Sequence, residues 1–330
     1  MGPISSNITR TSLCSWTDND SIVDVFPMPE APFPTTVPWL FFRREYLLLR
    51  TSDPIYSFIL TSKESGGILA VFHCMPVHHT WISLPISPFG GVLPSPFCCG
   101  RQLTFLLSCV REWVSARGGH SLTIKTAPSC YDPAVHQLCH QSYLAAGFLP
   151  NHTYSNHYIP IDNRPFEQII EPSERRRLSK GKRSGLRVSM KTGTCDISAT
   201  PTLCRSYAMQ GYKLPVTPEG IAHIARCAPD NYLSLVTWNR EQPVAAALMV
   251  RVSDTVLYHF LSGFLPEFGA LSPSLMLFEA AYQFGRDNRV QILDLGISLD
   301  HLGYEKPALA GFKKRIGGIG CDKVTYEVNF

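Results

Sequence analysis

Residues 243–263 (PVAAALMVRVSDTVLYHFLSG) contain two apolar runs, VAAALMVRV and TVLYHFL, and lead into a turn rich in Gly and Pro. Ser272 and Pro273 then open a predicted helix, and VQILDL at residues 290–295 predicts a further strand. Residues 66–88 begin the same pattern, with the runs ILAVFHCM and WISLPI, a Pro/Gly turn, a helix expected from Ser95 and Pro96, and the strand SLTIKT. Two copies of one strand–strand–turn–helix–strand unit predict two similar half-molecules.

Length and composition indicate a folded chain with more than one core. The chain has 330 residues, and a single core stops growing at about 250–300 residues. Its hydrophobic content of 45% and aromatic content of 11% are typical of a globular protein. The net charge of +4 is compatible with an anionic ligand but too small for a general nucleic-acid coat, so we expect no DNA partner.

The cysteine spacing and the N-terminal residues indicate the cellular compartment in which the protein is expected. None of the eleven cysteines forms a Cys-x-x-Cys pair, which favours reduced thiols over disulfides or a zinc site. The first residues show no apolar core of a signal peptide, and no run approaches the roughly 20 apolar residues needed to span a bilayer. We therefore expect a cytoplasmic protein without membrane insertion and without a metal requirement.

We expect a lead-in at residues 1–35, a first domain at 36–161 and a second domain at 162–330. The mixed order of strands and helices predicts an α/β sandwich in each domain. Besides the two Ser-Pro helices, helices are predicted at residues 38–49, 133–146, 202–210, 218–226 (with Thr217 as its cap) and 309–316. Strands are predicted at residues 55–61, 68–75, 81–86, 122–126, 153–161, 186–191, 232–238, 244–252, 255–261, 290–295 and 323–328.

Three segments carry a resemblance to a known family. Residues 272–318 (SPSLMLFEAAYQFGRDNRVQILDLGISLDHLGYEKPALAGFKKRIGG) resemble the end of FemAB-like members of the GNAT acyltransferase superfamily. There a Pro-opened helix leads to a strand ending Asp-Leu-Gly, then to a helix carrying Phe-Lys. Residues 174–188 (ERRRLSKGKRSGLRV) resemble the family's basic helix running into a strand, and residues 87–91 (SPFGG) resemble the first copy's turn.

The resemblance covers about residues 36–330. It implies an α/β fold of two tandem GNAT-like domains, with mixed sheets flanked by helices. It further implies transfer of an acyl or aminoacyl group to an amine, with the second domain as the catalytic half.

One segment departs from the superfamily. Acetyl-CoA-binding members carry Arg/Gln-x-x-Gly-x-Gly/Ala where this chain reads FLPEFGALSP at residues 264–273. Gly269, Ala270 and Ser272 would present backbone N–H groups to a pyrophosphate at the start of the next helix, whereas Glu267 opposes an anion. The implied co-substrate is acyl-CoA or acetyl-CoA, and an aminoacyl-tRNA is the alternative donor.

The resemblance also implies a reacting centre. In GNAT folds two central strands separate and expose backbone N–H groups to the donor carbonyl, here between residues 255–263 and 290–295. Lys313 matches the Phe-Lys position that in FemABX-type transferases lies at the reacting ester and stabilises its developing negative charge. A cation favoured by the end of a helix is the alternative interpretation of Lys313.

Four further side chains are candidates near that centre. Asp294 is expected either to orient the acceptor amine or to cap a turn. Tyr258 is a candidate proton donor to the leaving group, with a core tyrosine as the alternative. His259 is a weaker candidate base on the opposite face of the same strand, and Tyr304 is a candidate for the acceptor pocket.

The basic segment after residue 174 is the strongest charge feature. Arg176, Lys180 and Arg183 are spaced to share one helix face, and we expect them to bind phosphates of a nucleotide, CoA or tRNA. A solvated helix face is the alternative.

The favoured function is N-acyl transfer from an acyl thioester to an amine, at the cleft between the domains or within the second. One alternative is an aminoacyl-tRNA-dependent transferase of the FemABX type, and another is a non-catalytic binding module. The sequence leaves the acceptor, the acyl length and the oligomeric state open.

Overall fold

The structure, a computed structural model, describes residues 12–34, 36–50, 54–84, 87–193, 199–299 and 303–330. The strands are β1 (Cys14–Thr17), β2 (Ser21–Pro27), β3 (Tyr56–Ser62), β4 (Ile68–Val77), β5 (Thr80–Ser83), β6 (Val92–Pro94), β7 (Ser121–Lys125), β8 (Leu149–Pro160), β9 (Leu186–Thr192), β10 (Tyr232–Asn239), β11 (Gln242–Arg251), β12 (Val256–Phe264), β13 (Ile292–Ile297) and β14 (Ile319–Asn329). The α-helices are α1 (Arg44–Arg50), α2 (Gly100–Ser115), α3 (Pro133–Ala145), α4 (Phe166–Ile169), α5 (Pro172–Arg183), α6 (Ala199–Met209), α7 (Pro218–Cys227), α8 (Pro273–Asp287) and α9 (Pro307–Arg315).

The chain forms two compact units. The first comprises the described residues up to Val37, Phe41–Thr153 and Lys323–Phe330, and the second comprises Pro38–Leu40 and Tyr154–Asp322. This division differs from the expected one, because residues 154–161 join the second unit and the C-terminal eight residues join the first. The long strands β8 and β14 account for the difference, since each contains residues of both units.

The two units repeat one sheet topology. The order is β1-β2-β3-β4-β5-β7-β14 in the first unit and β9-β10-β11-β12-β13-β8 in the second. Counted from β2 in the first sheet and from β9 in the second, the first three strand pairs are antiparallel. The fourth pair is parallel (β5 with β7, β12 with β13), and the fifth pair is antiparallel. A helix lies between the two parallel strands in sequence, α2 in one unit and α8 in the other. The duplicated α/β architecture is therefore confirmed.

Strand β11 shows why the second sheet forms. Every residue from Val244 to Val250 is at most 2% exposed, so both faces of the strand are covered. Ala245, Ala247 and Met249 pack in one cluster with residues of α8, and Ala246 and Leu248 pack in another cluster with residues of α6. This alternation follows from the two-residue period of a strand.

The described part of the expected lead-in, residues 12–34, contributes strands β1 and β2 to the first sheet. Strand β2 pairs with β3 from Ser21 opposite Ser62 to Pro27 opposite Tyr56. Val23 and Val25 are fully buried in the core of this unit. The short alternating run SIVDVFP supplies this strand, although polar residues surround it.

Two helix starts also differ from expectation. Helix α2 begins at Gly100 with Cys99 as its N-cap, because the residues near Ser95 are used otherwise: Pro94 lies in β6, paired with Ala70, and Cys98 N–H donates to Ser95 O to close a turn. The helix expected at residues 38–49 is a 3-10 turn at Leu40–Phe42 followed by α1.

Three further features concern a helix cap, the cysteines and the described helices. The Thr217 hydroxyl accepts from Gly220 N–H at 3.1 Å and caps α7. The nine cysteines whose side chains the structure describes are free thiols. None of the described helices combines the length and apolar character that crossing a bilayer requires.

Candidate active site in the second unit

The central strands of the second unit separate where the resemblance implies. Strands β12 and β13 pair in parallel only from Val256 opposite Ile292 to Tyr258 opposite Asp294. Within the described residues, the rest of β12 has no partner in β13, although it continues to pair with β11. A bulge places Leu248 opposite Leu261 and Met249 opposite His259, which leaves Phe260 as the extra residue. The opening between β12 and β13 is therefore built next to Tyr258, His259 and Asp294.

Lys313 places its ammonium at this opening. Helix α9 carries it, it is only 4% exposed, and its Nζ donates to Gly296 O and Ile297 O at 2.8 Å each. Burial lowers the pKa of Lys313 from 10.5 to about 8, and the charge of Asp294 partly offsets that shift. An ammonium has three N–H donors, so one remains without an acceptor among the described residues. Lys313 is thus a fixed buried cation, unlike a solvated residue at a helix end.

Asp294 holds the end of β13 in shape. Its side chain is 2% exposed, and Oδ1 accepts from Gly296 N–H at 2.8 Å and from Asn156 Nδ2 at 2.7 Å. Gly296 has a φ of +73°, a conformation that favours glycine. The pairing of β13 with β8 shifts register between Asp294 and Gly296 of β13. The carboxylate therefore fixes the irregular backbone whose carbonyls hold Lys313. This contact matches the turn-capping alternative for Asp294 and leaves its role toward an acceptor as a proposal.

Replacing Asp294 with Ala is expected to lower the free energy of unfolding by about 2–5 kcal/mol, because the buried donors of Asn156 and Gly296 lose their acceptor. The matched variant Asp294→Asn keeps an acceptor oxygen and should lose less stability, while the pKa of Lys313 should fall further without the carboxylate charge. Urea unfolding and NMR titration of the lysine side chains measure the two effects. Equal stability of Asp294→Ala and the wild type would contradict this account of the β13 terminus.

Tyr258 and His259 lie on opposite faces of β12. Tyr258 is the strand partner of Asp294, and burial together with the Asp294 charge raises the pKa of its phenol, so it stays protonated. His259 faces α8, where its ring centroid lies 5.0 Å from that of Phe278. Burial and the Lys313 charge lower the pKa of His259 to about 3. An imidazole of such low pKa is a weak base, and the role of His259 toward a substrate stays a prediction.

The expected phosphate loop has a different local structure. Residues Pro266–Leu271 form a 3-10 turn, and Ser272, at φ +51°, precedes α8. The N–H of Ser272 donates to Gly269 O at 3.0 Å and so is already used within the turn. The Ser272 side chain does not cap α8. The N–H groups of this segment are therefore only partly available to an anion, and binding by Gly269 and Ala270 remains a prediction.

Helix α5 lies against the start of α8. A Cβ built on Gly181 would come 2.8 Å from Leu271 O, so the two segments approach as closely as glycine permits. The Lys182 ammonium is paired with Glu279 of α8 at 2.6 Å and with Glu167 at 2.7 Å. The last turn of the basic helix is thereby fixed beside the first turns of α8.

The three residues expected to bind phosphate form an unpaired stripe. Arg176, Lys180 and Arg183 are exposed, and none has a carboxylate partner among the described residues. Their spacing of four and three residues places them on one face of α5. The chain thus presents three unneutralised cations on a helix that packs beside the start of α8.

Tyr304 is exposed, whereas two residues of β8 are buried beside the end of β13. Tyr304 is 69% exposed, so its place in an acceptor pocket stays a prediction. Asn156 and His157 are each 1% exposed, and they lie opposite the end of β13. The sequence indicated a strand here but not its place in the second sheet, so neither residue was a candidate. Among the described residues, no group of three or more His, Cys, Asp or Glu side chains is placed to hold a metal ion.

In the first unit, the segment around Phe89–Gly91 lies at the ends of the equivalent parallel strands β5 and β7. Strands β5 and β7 pair from Thr80 to Ser83, and just beyond them Gly90 N–H donates to Lys125 O at 2.7 Å. Gly91 N–H donates to Ser83 Oγ, and the Phe89 ring is 2% exposed. Among its described residues, which exclude 85 and 86 after β5, the first unit shows no open strand end like that of the second unit.

Comparisons with known proteins bear on the domain and the fold. Residues 173–306 match the family model described as acetyltransferase (GNAT) domain. No curated protein matches the chain. The matched segment covers α5 to β13 and so contains the strand opening, while Lys313 follows it in sequence.

Solved structures of other proteins are similar to this chain. FemX has a TM-score of 0.61 at 12% identity, covering 88% of this chain and 91% of FemX. A tandem GNAT protein from the clavulanic acid biosynthesis pathway has a TM-score of 0.53 at 11% identity, covering 87% and 88%. The C-terminal domain of a putative lysylphosphatidylglycerol synthetase from Agrobacterium fabrum has a TM-score of 0.54 at 13% identity, covering 87% of each chain. At such identities the likeness shows the fold, which is that of tandem GNAT domains.

Proposed function

We propose that this chain, which carries a GNAT acyltransferase domain in a FemAB-like tandem fold, transfers an acyl group from a thioester of the acyl-CoA type to an amine. The reaction takes place in the second unit. The observation that carries the proposal is the buried Lys313 ammonium at the end of β13, beside the opening between β12 and β13.

The geometry supports a direct transfer. The neutral amine attacks the thioester carbonyl, a C–N bond forms, and negative charge develops on the carbonyl oxygen. The remaining Lys313 N–H and the backbone N–H groups of β12 stabilise that oxygen. The C–S bond then breaks and the Tyr258 phenol protonates the leaving thiolate, while the surplus proton of the amine passes through solvent and restores the phenol.

The exposed stripe on α5 favours a second candidate donor. Arg176, Lys180 and Arg183 are three unneutralised cations near a loop that offers few N–H groups to a pyrophosphate. Such a stripe suits a longer polyphosphate, and an aminoacyl-tRNA ester would supply it. In that case the oxyanion chemistry at Lys313 is the same and the leaving group is a ribose hydroxyl.

Thermal-shift measurements with CoA, a long-chain acyl-CoA and tRNA distinguish these donors. We expect a rise in Tm with an acyl-CoA, since a ligand that binds only the folded state stabilises it. A rise with tRNA alone would favour the ester donor. No shift with any of the three would contradict donor binding and favour a binding module.

Replacing Arg176, Lys180 and Arg183 together with Ala is expected to weaken binding of the donor that raises Tm. For tRNA, a plot of the logarithm of the binding constant against the logarithm of salt concentration has a negative slope. The triple variant should make that slope shallower by about two to three, because each phosphate contact contributes roughly 0.7–0.9. A control with Lys213, Arg226 and Arg289, three exposed cations of the same unit, should leave affinity unchanged. Equal affinity of both triple variants would show that α5 is a solvated surface.

A further inference from the structure

Buried polar atoms without partners are concentrated near Lys313. Of eleven such side-chain atoms in the described part of the chain, five belong to four residues of one region: Asn156, His157, His259 and Ser298. Native proteins pair about nine-tenths or more of such atoms, and each one left unpaired destabilises the folded state. A ligand that supplies the missing partners would explain why they are kept together.

His157 is the most exceptional of the four. Its side chain is 1% exposed, and neither ring nitrogen has a hydrogen-bond partner among the residues that the structure describes. A neutral imidazole has one donor and one acceptor nitrogen, so in either tautomer one N–H and one lone pair are unused. This conclusion therefore does not depend on which nitrogen carries the proton.

The register places His157 beside the Lys313 anchor. His157 is the strand partner of Gly296, whose carbonyl accepts from Lys313 Nζ at 2.8 Å. Burial and the charges of Lys313 and Lys314 lower the pKa of His157, so the imidazole is neutral near pH 7. The neighbouring Asn156 instead donates to Asp294 and acts on the backbone.

We propose that His157 contacts the substrate in the second unit, its ring N–H donating to the carbonyl oxygen of the bound thioester or ester beside the Lys313 ammonium. The inference rests on the proposed function and adds a residue that neither the motif nor the sequence pattern indicates. The imidazole keeps its proton throughout, and no bond to it forms. It acts as an uncharged donor whose hydrogen bond strengthens as the carbonyl becomes an oxyanion.

The substitution His157→Phe tests the inference, because it keeps an aromatic ring and removes both nitrogens. We expect turnover with the donor to fall about 10²–10³-fold in kcat, the cost of losing one oxyanion donor. Tm should stay unchanged or rise, since two unpaired polar atoms leave the interior. His157→Asn, which restores an N–H donor, should recover part of the activity. His152→Phe, at an exposed position of the same strand, is the control and should not change turnover.

The outcomes separate this inference from the proposed function. A lower Tm with unchanged turnover would show that the imidazole serves the fold, and would overturn the inference. Absence of turnover in the wild type with thioester and ester donors would contradict the proposed function. In that case the Tm of His157→Phe alone tests the inference: a lower Tm overturns a ligand contact at His157, and an unchanged or higher Tm supports one.

Discussion

Lys313→Met is expected to lower turnover about 10²–10³-fold, because it removes a fixed donor from the developing oxyanion. Methionine keeps a long apolar stem, so the packing of the buried side chain changes little. The adjacent Lys314 is exposed, and Lys314→Met is the matched control that should retain activity. Steady-state kinetics with the identified donor measure both variants, and full activity of Lys313→Met would remove the ammonium from the mechanism.

Lys313→Met is also expected to change how the free energy of unfolding depends on pH. The pKa of Lys313 is lowered from 10.5 to about 8, so between those pH values the unfolded chain binds more protons than the folded one. The free energy of unfolding contributed by Lys313 therefore rises with pH across that window and is flat below it. Lys313→Met should lack this rise when unfolding is followed by urea titration from pH 7 to 10. An identical pH dependence in both proteins would show that the Lys313 pKa is not lowered by folding.

Tyr258→Phe is expected to lower turnover about 100-fold, at the low end for a general acid, because a phenol of raised pKa is a weak proton donor. Its position opposite Asp294 places it at the end of the paired part of β12 and β13. A donor whose leaving group departs as a stable anion needs no proton, so the defect should shrink with such a donor.

Tyr282→Phe is the control for Tyr258, since the Tyr282 hydroxyl bonds to Asp162 and has no place in the proposed mechanism. A defect in Tyr258→Phe that is equal for good and poor leaving groups would assign Tyr258 to the core rather than to proton transfer.

Local patterns were sufficient to predict much of the fold. The continuous apolar run at residues 244–252 predicts a strand, and the structure forms β11 there and covers its two faces with α6 and α8. The Thr217 cap and the Pro-opened start of α8 follow from side-chain chemistry within a few residues. Such features depend on neighbours in sequence, so a single chain reveals them.

Long-range pairing was not predictable in the same way. Strand β8 reads as the end of the first half, yet from Tyr154 onward it belongs to the second unit, where it pairs with β13. The segment 323–330 reads as the end of the second half and pairs with β7. Which strand completes which sheet depends on contacts between residues far apart in sequence, and periodicity carries no information about them.

The same contrast between local motifs and long-range strand pairing applies to the residues of the candidate site. The Phe-Lys motif singled out Lys313, and its burial and its two carbonyl acceptors are consistent with the proposed role. Asn156 and His157 had no motif, because they become relevant only when β8 pairs with β13. The cleft between the domains that the sequence suggested plays no part in the proposed mechanism, which uses residues of the second unit alone.

A crystal structure of the protein soaked with a non-hydrolysable acyl-CoA analogue tests the central claim most directly. We expect difference density between β12 and β13 in the second unit, with the carbonyl oxygen within hydrogen-bonding distance of Lys313 Nζ. Density in the first unit alone, or a carbonyl remote from Lys313, would contradict the account.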